Sequence, residues 1–578
     1  MGFGKIKSVK ARQRFQVKKK KETRTSLLLF SCTILGIIFV FSGAIMAEDG
    51  KEVRKQISQG EPCSLPPDGA ILGDGIVMGS IGEPGNLISG LSSDSASGEV
   101  TSRLYVGLLK YDENLEIVAD AAESFEILDG GLRLRFILRQ GLKWSDGHEM
   151  DADDVEFTYR LMIDPGTPTA YAGDYLRVKE FRKLGQYSFE VTYDKPFARS
   201  LITWMRDILP RRALQGENLR DTKYSRNPVA SGPFLLKEWV AGTRLILTAN
   251  RNYFEGRPYV DGIIYRVIPD LSTMFWELKA GKIDLMGLSP QQSVYQTKER
   301  AFSDNFAVYN DLAHGYTYLA YNLESPLFKD MRVRQAFAYA INKKDIISGA
   351  LFEQGVPAFG PYRPGSWAYN DKITQYPFNQ ERAKTLLAEC GWVSGSDGIL
   401  IREGRRFSFT VLVNQGNEQR IKTAVIIQSQ LKQIGVEVKI RAVEWAAFLS
   451  DFVHKGYFDA LILGWNITHD PDIYDVWHSS RAFAGGLNFI KYGNEEVDAL
   501  LEEARSTFDR TLRKRCYDRI QEILHDEQPY CFLYVPYNIT AVHKRFENVR
   551  DVPAGITHNI IRWWTLQEKQ LYRNLLQQ

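Results

Sequence analysis

Between residues 119 and 159 the hydrophobic and polar positions first alternate and then switch to a helical spacing. Phe125 and Ile127 read as one strand and Asp129-Gly130-Gly131 as a turn. Leu132, Leu134, Phe136 and Leu138 then form the apolar face of a second strand. Arg133, Arg135 and Arg139 fall on the other face, so the pattern predicts a half-buried hairpin. A Ser145-Asp146-Gly147 turn follows, after which Asp151 and Asp154 bracket a helix start in the manner of a capping box. Val155, Tyr159 and Met162 continue it at helical spacing. Three further helices are predicted. One starts at Asp330 and carries Val333, Ala336, Phe337, Ala340 and Ile341 as a stripe. Another starts at Asn379, buries Leu386, Leu387 and Cys390, and stops at Gly391. The third runs from about Gln419 to Ile434, ends at Gly435 and passes into the alternating strand Val436, Val438, Ile440. From residue 71 onward strand-like and helix-like segments alternate without an internal repeat, which is α/β architecture.

With 578 residues the chain exceeds a single core and predicts two to four domains. The formal net charge of +3 hides an asymmetry. Ten Lys or Arg and one acid, Glu22, lie in the first 24 residues, which leaves 63 basic and 69 acidic residues in the rest. A mildly acidic body lacks the basic patch that nucleic-acid binding requires, so no nucleic-acid partner is expected. Residues 27–46 carry no charge and are long enough to cross a bilayer, with the basic flank kept cytoplasmic. Two fates stay open for them. Small residues at Ser42, Ala44 or Ala47 suit signal-peptidase cleavage, while the long apolar run suits an uncleaved anchor to the cytoplasmic membrane. Cys32 is not read as a lipidation site, because the apolar run continues past it. Residues 1–47 are thus a leader and 48–70 a linker rich in Glu, Lys, Gln and Pro.

Four cysteines follow the leader: Cys63, Cys390, Cys516 and Cys531. They allow three full pairings, and buried free thiols fit as well. No CxxC, G-x-S-x-G, HExxH or Walker A motif occurs, and the eight histidines show no ligand spacing. No metal, cofactor or catalytic residue is expected.

The ordered blocks of the chain resemble the family 5 extracellular solute-binding proteins, the peptide- and nickel-binding receptors of ABC importers. The 119–159 stretch is similar to the signature of that family. So are Gly82-Glu83-Pro84 with Leu87, Ala230-Ser231-Gly232-Pro233-Phe234 with Trp239, and Asn250-Arg251-Asn252-Tyr253-Phe254 with Gly256-Arg257-Pro258. Ala280-Gly281-Lys282-Ile283-Asp284, Tyr318-Leu319-Ala320-Tyr321-Asn322 and Arg332-Val333-Arg334-Gln335-Ala336 follow in the family's order, over about 490 residues. The resemblance implies a two-lobed periplasmic-binding-protein fold, type II, with an extra subdomain in the first lobe. It implies a first lobe at 71–315 with the subdomain at about 105–225, a second lobe at 316–534, and a C-terminal return of 535–578 to the first. It implies a monomer outside the cytoplasmic membrane, in a periplasm, that serves an ABC permease with separate ATPase subunits, and it tilts the leader towards cleavage.

The resemblance also directs attention to residues 463–474, which follow a strand-like run and end in Asp-Pro-Asp. Trp465 offers a broad apolar face, Asn466 and Thr468 lie beside it, and Asp470 and Asp472 are candidates to meet a peptide ammonium. The plainer reading makes Trp465 core and lets the two acids cap the next helix. Dipeptide-type members carry an Asp where this chain has Thr468. The segment is therefore more similar to the long-oligopeptide branch, whose affinity comes from backbone pairing with loose side-chain pockets. Arg363 is either a partner for a peptide carboxylate or a solvated surface residue. Tyr321 and Asn322 are expected at the cleft edge, and Glu83 in the loop after the first strand. The expected function is oligopeptide capture by hinge closure. The alternatives are a nickel chelate, haem or another small solute as ligand, or a membrane-anchored sensory or chaperone-like peptide binder.

Overall fold

The 119–159 stretch folds as its alternation predicts. In the computed structural model, which describes residues 72–91, 94–467, 469–483 and 485–572, strands Ala122–Leu128 and Arg133–Leu138 pair antiparallel around the Asp129–Gly131 turn. Leu134, Phe136 and Leu138 are fully buried, and each such side chain contributes roughly 1.5–3 kcal/mol. The charged face is not simply solvated. Strands Ser188–Tyr193 and Val178–Gly185 extend the hairpin to a four-stranded sheet, which sets Glu190 among Arg133, Arg135 and Arg182. Burial works against the Glu190 carboxylate, but hydrogen bonds from Arg182 and Arg135 and the charge of Arg133 hold its pKa low. The helix Ala152–Ile163 begins at Asp151 with the expected capping box to Asp154. Asp154 also accepts the Trp144 indole N–H at 3.2 Å and the Arg211 backbone N–H at 2.9 Å, which ties the cap to the subdomain core.

A twelve-stranded sheet organises the rest. Its order is Glu437–Val443, Ser408–Asn414, Ala460–Asn466, Gly315–Tyr321, Tyr530–His543, Leu285–Leu288, Gly75–Ser80, Gly262–Val267, Arg244–Ala249 and Phe234–Val240. Phe306–Leu312 and Gly355–Pro357 pair additionally with Tyr530–His543. That 14-residue strand is about 48 Å long at the antiparallel rise and belongs to both halves. Its first part pairs with Gly315–Tyr321 and Gly355–Pro357, its second with Leu285–Leu288 and Phe306–Leu312. The chain crosses between the halves twice, near residues 312–316 and 534–537. The crossings lie side by side, with the Ala313 N–H donating to the Pro536 carbonyl at 2.9 Å.

Hydrophobic packing divides at the same place. Residues from Ile76 to Tyr265 cluster with Val542, Phe546 and Trp563, while Leu319, Phe337, Phe409 and Leu533 belong to a separate core. The predicted helices are Met331–Ala340, Gln380–Glu389 and Glu418–Lys432, with Asp330, Asn379 and Asn417 as N-caps. Arg545 joins the chain's two ends. Its guanidinium donates to both Asp284 oxygens at 2.8 and 2.7 Å, to Asp74, and to the Gly75 carbonyl. Asp284 in turn accepts the Val77 N–H at 2.9 Å. Cys390, Cys516 and Cys531 are buried free thiols. The leader, the linker and Cys63 lie outside the described residues, among which no helix is long and apolar enough to cross a membrane.

Candidate functional site

The strand predicted to end at Leu463 continues to Asn466, so Trp465 and Asn466 sit on a strand and not in the loop after it. Ala460–Asn466 pairs antiparallel with Gly315–Tyr321, and Gly315 faces Asn466. A Cβ at Gly315 would collide with the Trp465 carbonyl, so the close approach of the two strands requires glycine there. Trp465 is half-buried and Asn466 exposed. The Trp465 indole N–H donates to the Tyr530 hydroxyl at 3.4 Å, and its ring lies parallel to Tyr318 at 6.3 Å and beside Phe489 at 6.1 Å. Trp465 therefore forms the rim of an aromatic core that includes the fully buried Trp477. Thr468 lies outside the described residues.

Beyond this strand end a cavity of about 240 Å³ opens between the lobes. Asn114, Leu115 and Pro553 line it from one side, and His314, Arg363, Trp367, Ile467, His469 and Arg510 from the other. His314 and His469 meet edge to face, with ring centroids 4.2 Å apart, and Tyr111 packs edge-on to His469 at 4.8 Å. The Ile467 N–H donates to the His314 carbonyl at 2.6 Å, which fixes the two histidine-bearing segments together. Burial first, and then the Arg363 charge, push both imidazoles down to about 4. At neutral pH the cleft thus presents two uncharged rings beside the Arg363 guanidinium. Arg363 donates to the Leu312 carbonyl at 3.1 Å and is partly buried.

The two acids of the ligand segment are committed elsewhere. Asp470 pairs with Arg513 at 2.9 Å, and Asp472 with Arg505 at 2.8 Å. The Asp470 carboxylate also accepts the Asp472 N–H, and Asp472 accepts the Tyr474 N–H, both at 3.0 Å. Burial opposes ionisation of Asp472, yet the charge and hydrogen bonds of Arg505, with Arg199 beyond, keep its pKa below the ordinary carboxylate range. Expected to meet a peptide ammonium, both acids are here neutralised by buried guanidinium groups. Both shape the turn into the helix Tyr474–Trp477.

Tyr321 and Asn322, expected at the cleft edge, lie away from this cavity. They stand at the opposite end of Gly315–Tyr321 from Gly315, about 20 Å away at the strand rise. Tyr321 is fully buried against Phe328 and Phe337. Asn322 spends its amide on the Gly456 and Phe458 carbonyls. Glu83 accepts the Trp239 indole N–H at 3.1 Å and the Gly242 N–H at 2.9 Å, so its carboxylate pins the turn of the neighbouring hairpin. These hydrogen bonds, from Gly242 first, lower its pKa.

His314, His469, Trp367 and Arg510 were missed as cleft residues. Their separation in sequence hides them, although His469 lies inside the segment singled out and His314 directly precedes the expected start of the second lobe.

Residues 116–485 match the family of bacterial extracellular solute-binding proteins, family 5 Middle. The chain belongs to that family. It is a family of binding proteins and not of enzymes. The oligopeptide-binding protein AppA of Bacillus subtilis (strain 168) is 36% identical over 555 residues, which are 94% of this chain and 99% of that one. The solved structure of that protein in complex with a nonapeptide matches with a TM-score of 0.74, over 86% of this chain and 99% of the other. The family's breadth shows in two others. Heme-binding protein A of Haemophilus influenzae is 29% identical over 77% of this chain and 83% of its own. NikZ from Campylobacter jejuni, solved in complex with Ni(L-His), is 26% identical with a TM-score of 0.76, over 85% of this chain and 99% of its own. This family 5 protein has the two-lobed α/β fold of those structures.

Proposed function

We propose that this protein captures oligopeptides outside the cytoplasmic membrane and hands them to an ABC permease driven by separate ATPase subunits. The observation that carries this reading is the likeness along nearly the whole chain to an oligopeptide-binding protein whose solved form holds a nonapeptide. The cleft chemistry supports it. With Asp470 and Asp472 paired internally, no free carboxylate from the ligand segment anchors a peptide ammonium. Affinity then comes from backbone pairing at the end of the strand Ala460–Asn466, where Trp465 and Asn466 stand, and from Arg363 towards a peptide carboxylate. Such contacts accept many sequences. Closure is favoured because only the closed form brings both sides of the cleft onto the ligand, and the shift is limited by that differential affinity. The site of action is a periplasm, reached by a leader that is cleaved or kept as an anchor to the cytoplasmic membrane.

A metal-chelate ligand is the second reading, favoured by the paired neutral imidazoles of His314 and His469. Among the described residues no group of three or more His, Cys, Asp or Glu suits a bare metal ion, so a chelate would have to bring most of its own ligands.

Native mass spectrometry of the purified protein separates the readings. Co-purifying peptides of mixed sequence, and calorimetric binding of unrelated nonapeptides within about tenfold of one another, are expected. Co-purified nickel or haem with no response to peptides overturns the proposal.

A further inference from the structure

The lobes touch each other directly beside the cleft. Phe508, in the turn between helices Glu495–Arg505 and Arg510–Glu527, packs against the hydrophobic core of the first lobe. Its seat is the turn of the signature hairpin. Gly131 has φ 99°, and a Cβ there would collide with the Phe508 ring. Glycine is therefore required twice, for a backbone that side chains disfavour and for the space that the ring occupies. Two polar contacts flank the ring. The Ala198 N–H donates to the Arg505 carbonyl at 2.8 Å, and Arg510 donates to Glu116 at 2.8 Å.

We infer that Phe508, seated at Gly131 and flanked by the Ala198–Arg505 and Glu116–Arg510 contacts, is a latch that holds the lobes closed without ligand. The physical reasoning is direct. Ring burial against an apolar core supplies the free energy. The exposed Glu116–Arg510 pair adds little and sets the register. The backbone bond between Ala198 and Arg505 forms only when the lobes meet. Arg505 also grips Asp472, so the residue that receives the first lobe is the one that holds the end of the ligand segment. Closure and the turn that follows the strand Ala460–Asn466 are thereby joined through one residue, by its backbone carbonyl on one side and its guanidinium on the other. A latch of this kind raises the share of closed protein before any ligand arrives, and it slows ligand release in proportion. The inference rests on closure of the lobes and not on what the ligand is.

Hydrogen exchange of the ligand-free full-length protein tests it, because the Ala198 amide reports the closed contact. In the wild type that amide is expected to be protected. Phe508→Ala should speed its exchange about ten- to hundredfold, and Arg510→Glu a few-fold. The double variant Glu116→Arg with Arg510→Glu should restore protection, while amides of the strand Ser408–Asn414 keep their wild-type rates in all three. If the Ala198 amide exchanges freely in the ligand-free wild type, or keeps its protection in Phe508→Ala, the latch is refuted. If exchange rises equally in both cores, Phe508 is packing alone and the latch is also refuted. None of these outcomes depends on peptide being the natural ligand, so the proposed function stands or falls separately.

Discussion

Arg545 in the first lobe and the Arg505 and Arg513 pair in the second each neutralise two aspartates, under different constraints. Arg545 serves Asp74 and Asp284 alone, with all three side chains at most 3% exposed. It joins the start of the first described strand to the turn after Tyr530–His543, far from the cleft. In the second lobe each aspartate has its own arginine, and both arginines lie under the segment that borders the cavity. One guanidinium shared by two acids acts as a clasp and is costly to lose. Two separate pairs let a loop be held at two points. The same ion-pair chemistry thus closes the fold in one place and shapes a binding surface in the other.

Arg545→Met is expected to have the largest effect. It leaves two buried carboxylates without their counter-charge and removes about 3–5 kcal/mol of stability, read as a large fall in the thermal midpoint. Peptide affinity of the protein that remains folded should be unchanged, because the clasp does not touch the cleft. Arg513→Met comes next, with a loss of about 2–4 kcal/mol from the stranded Asp470. Here peptide binding should weaken as well, by about tenfold or more in calorimetry, since the segment above it loses its support. Equal effects of the two variants on affinity would erase the distinction between clasp and loop support.

A pH profile sharpens it further. The His314 and His469 imidazoles are held down to about 4, against an ordinary value near 6.5. Between those limits the unfolded chain binds more protons than the folded one, so stability is present above pH 6.5 and is lost as pH falls towards 4. Arg363 faces both rings and His558 faces His469, so protonation also loads the cleft with like charge. His314→Gln with His469→Gln should flatten the thermal midpoint against pH in that window, and peptide affinity should lose its fall in the same range. The smallest effect belongs to Tyr321→Phe. Among the described residues the buried hydroxyl has no hydrogen-bond partner, so its removal should change stability by less than about 0.5 kcal/mol or raise it. Peptide affinity should not move; a tenfold loss would return Tyr321 to the binding surface.

The difference between these regions also explains what could be read in advance. The hairpin of 122–138, the Asp151 capping box and the helix at Asp330 were legible because their signals are local. Alternation sets a strand face, and a carboxylate two or three residues from a free N–H sets a cap. The ion pairs of Asp470 and Asp472 are not legible, because their partners, Arg513 and Arg505, come from helices that sequence gives no reason to place beneath them. The burial of Tyr321 is hidden for the same reason. Its block marks the family, but which end of a strand meets the cleft depends on what pairs beside it. Gly131 was legible as a turn glycine, whereas its second task, making room for Phe508, exists only between lobes.

Sequence by itself determined the α/β class and the likeness to a binding-protein family, and it directed attention to a segment that borders a cavity between the lobes. Those follow from hydrophobic periodicity, capping and blocks in a constant order, all of them short-range. The tertiary structure alone decided which charges are spent inside the protein, which histidines meet, and where one lobe rests on the other. Each of those depends on groups far apart in the chain, whose meeting is set by strand order and core packing and not by any residue's neighbours.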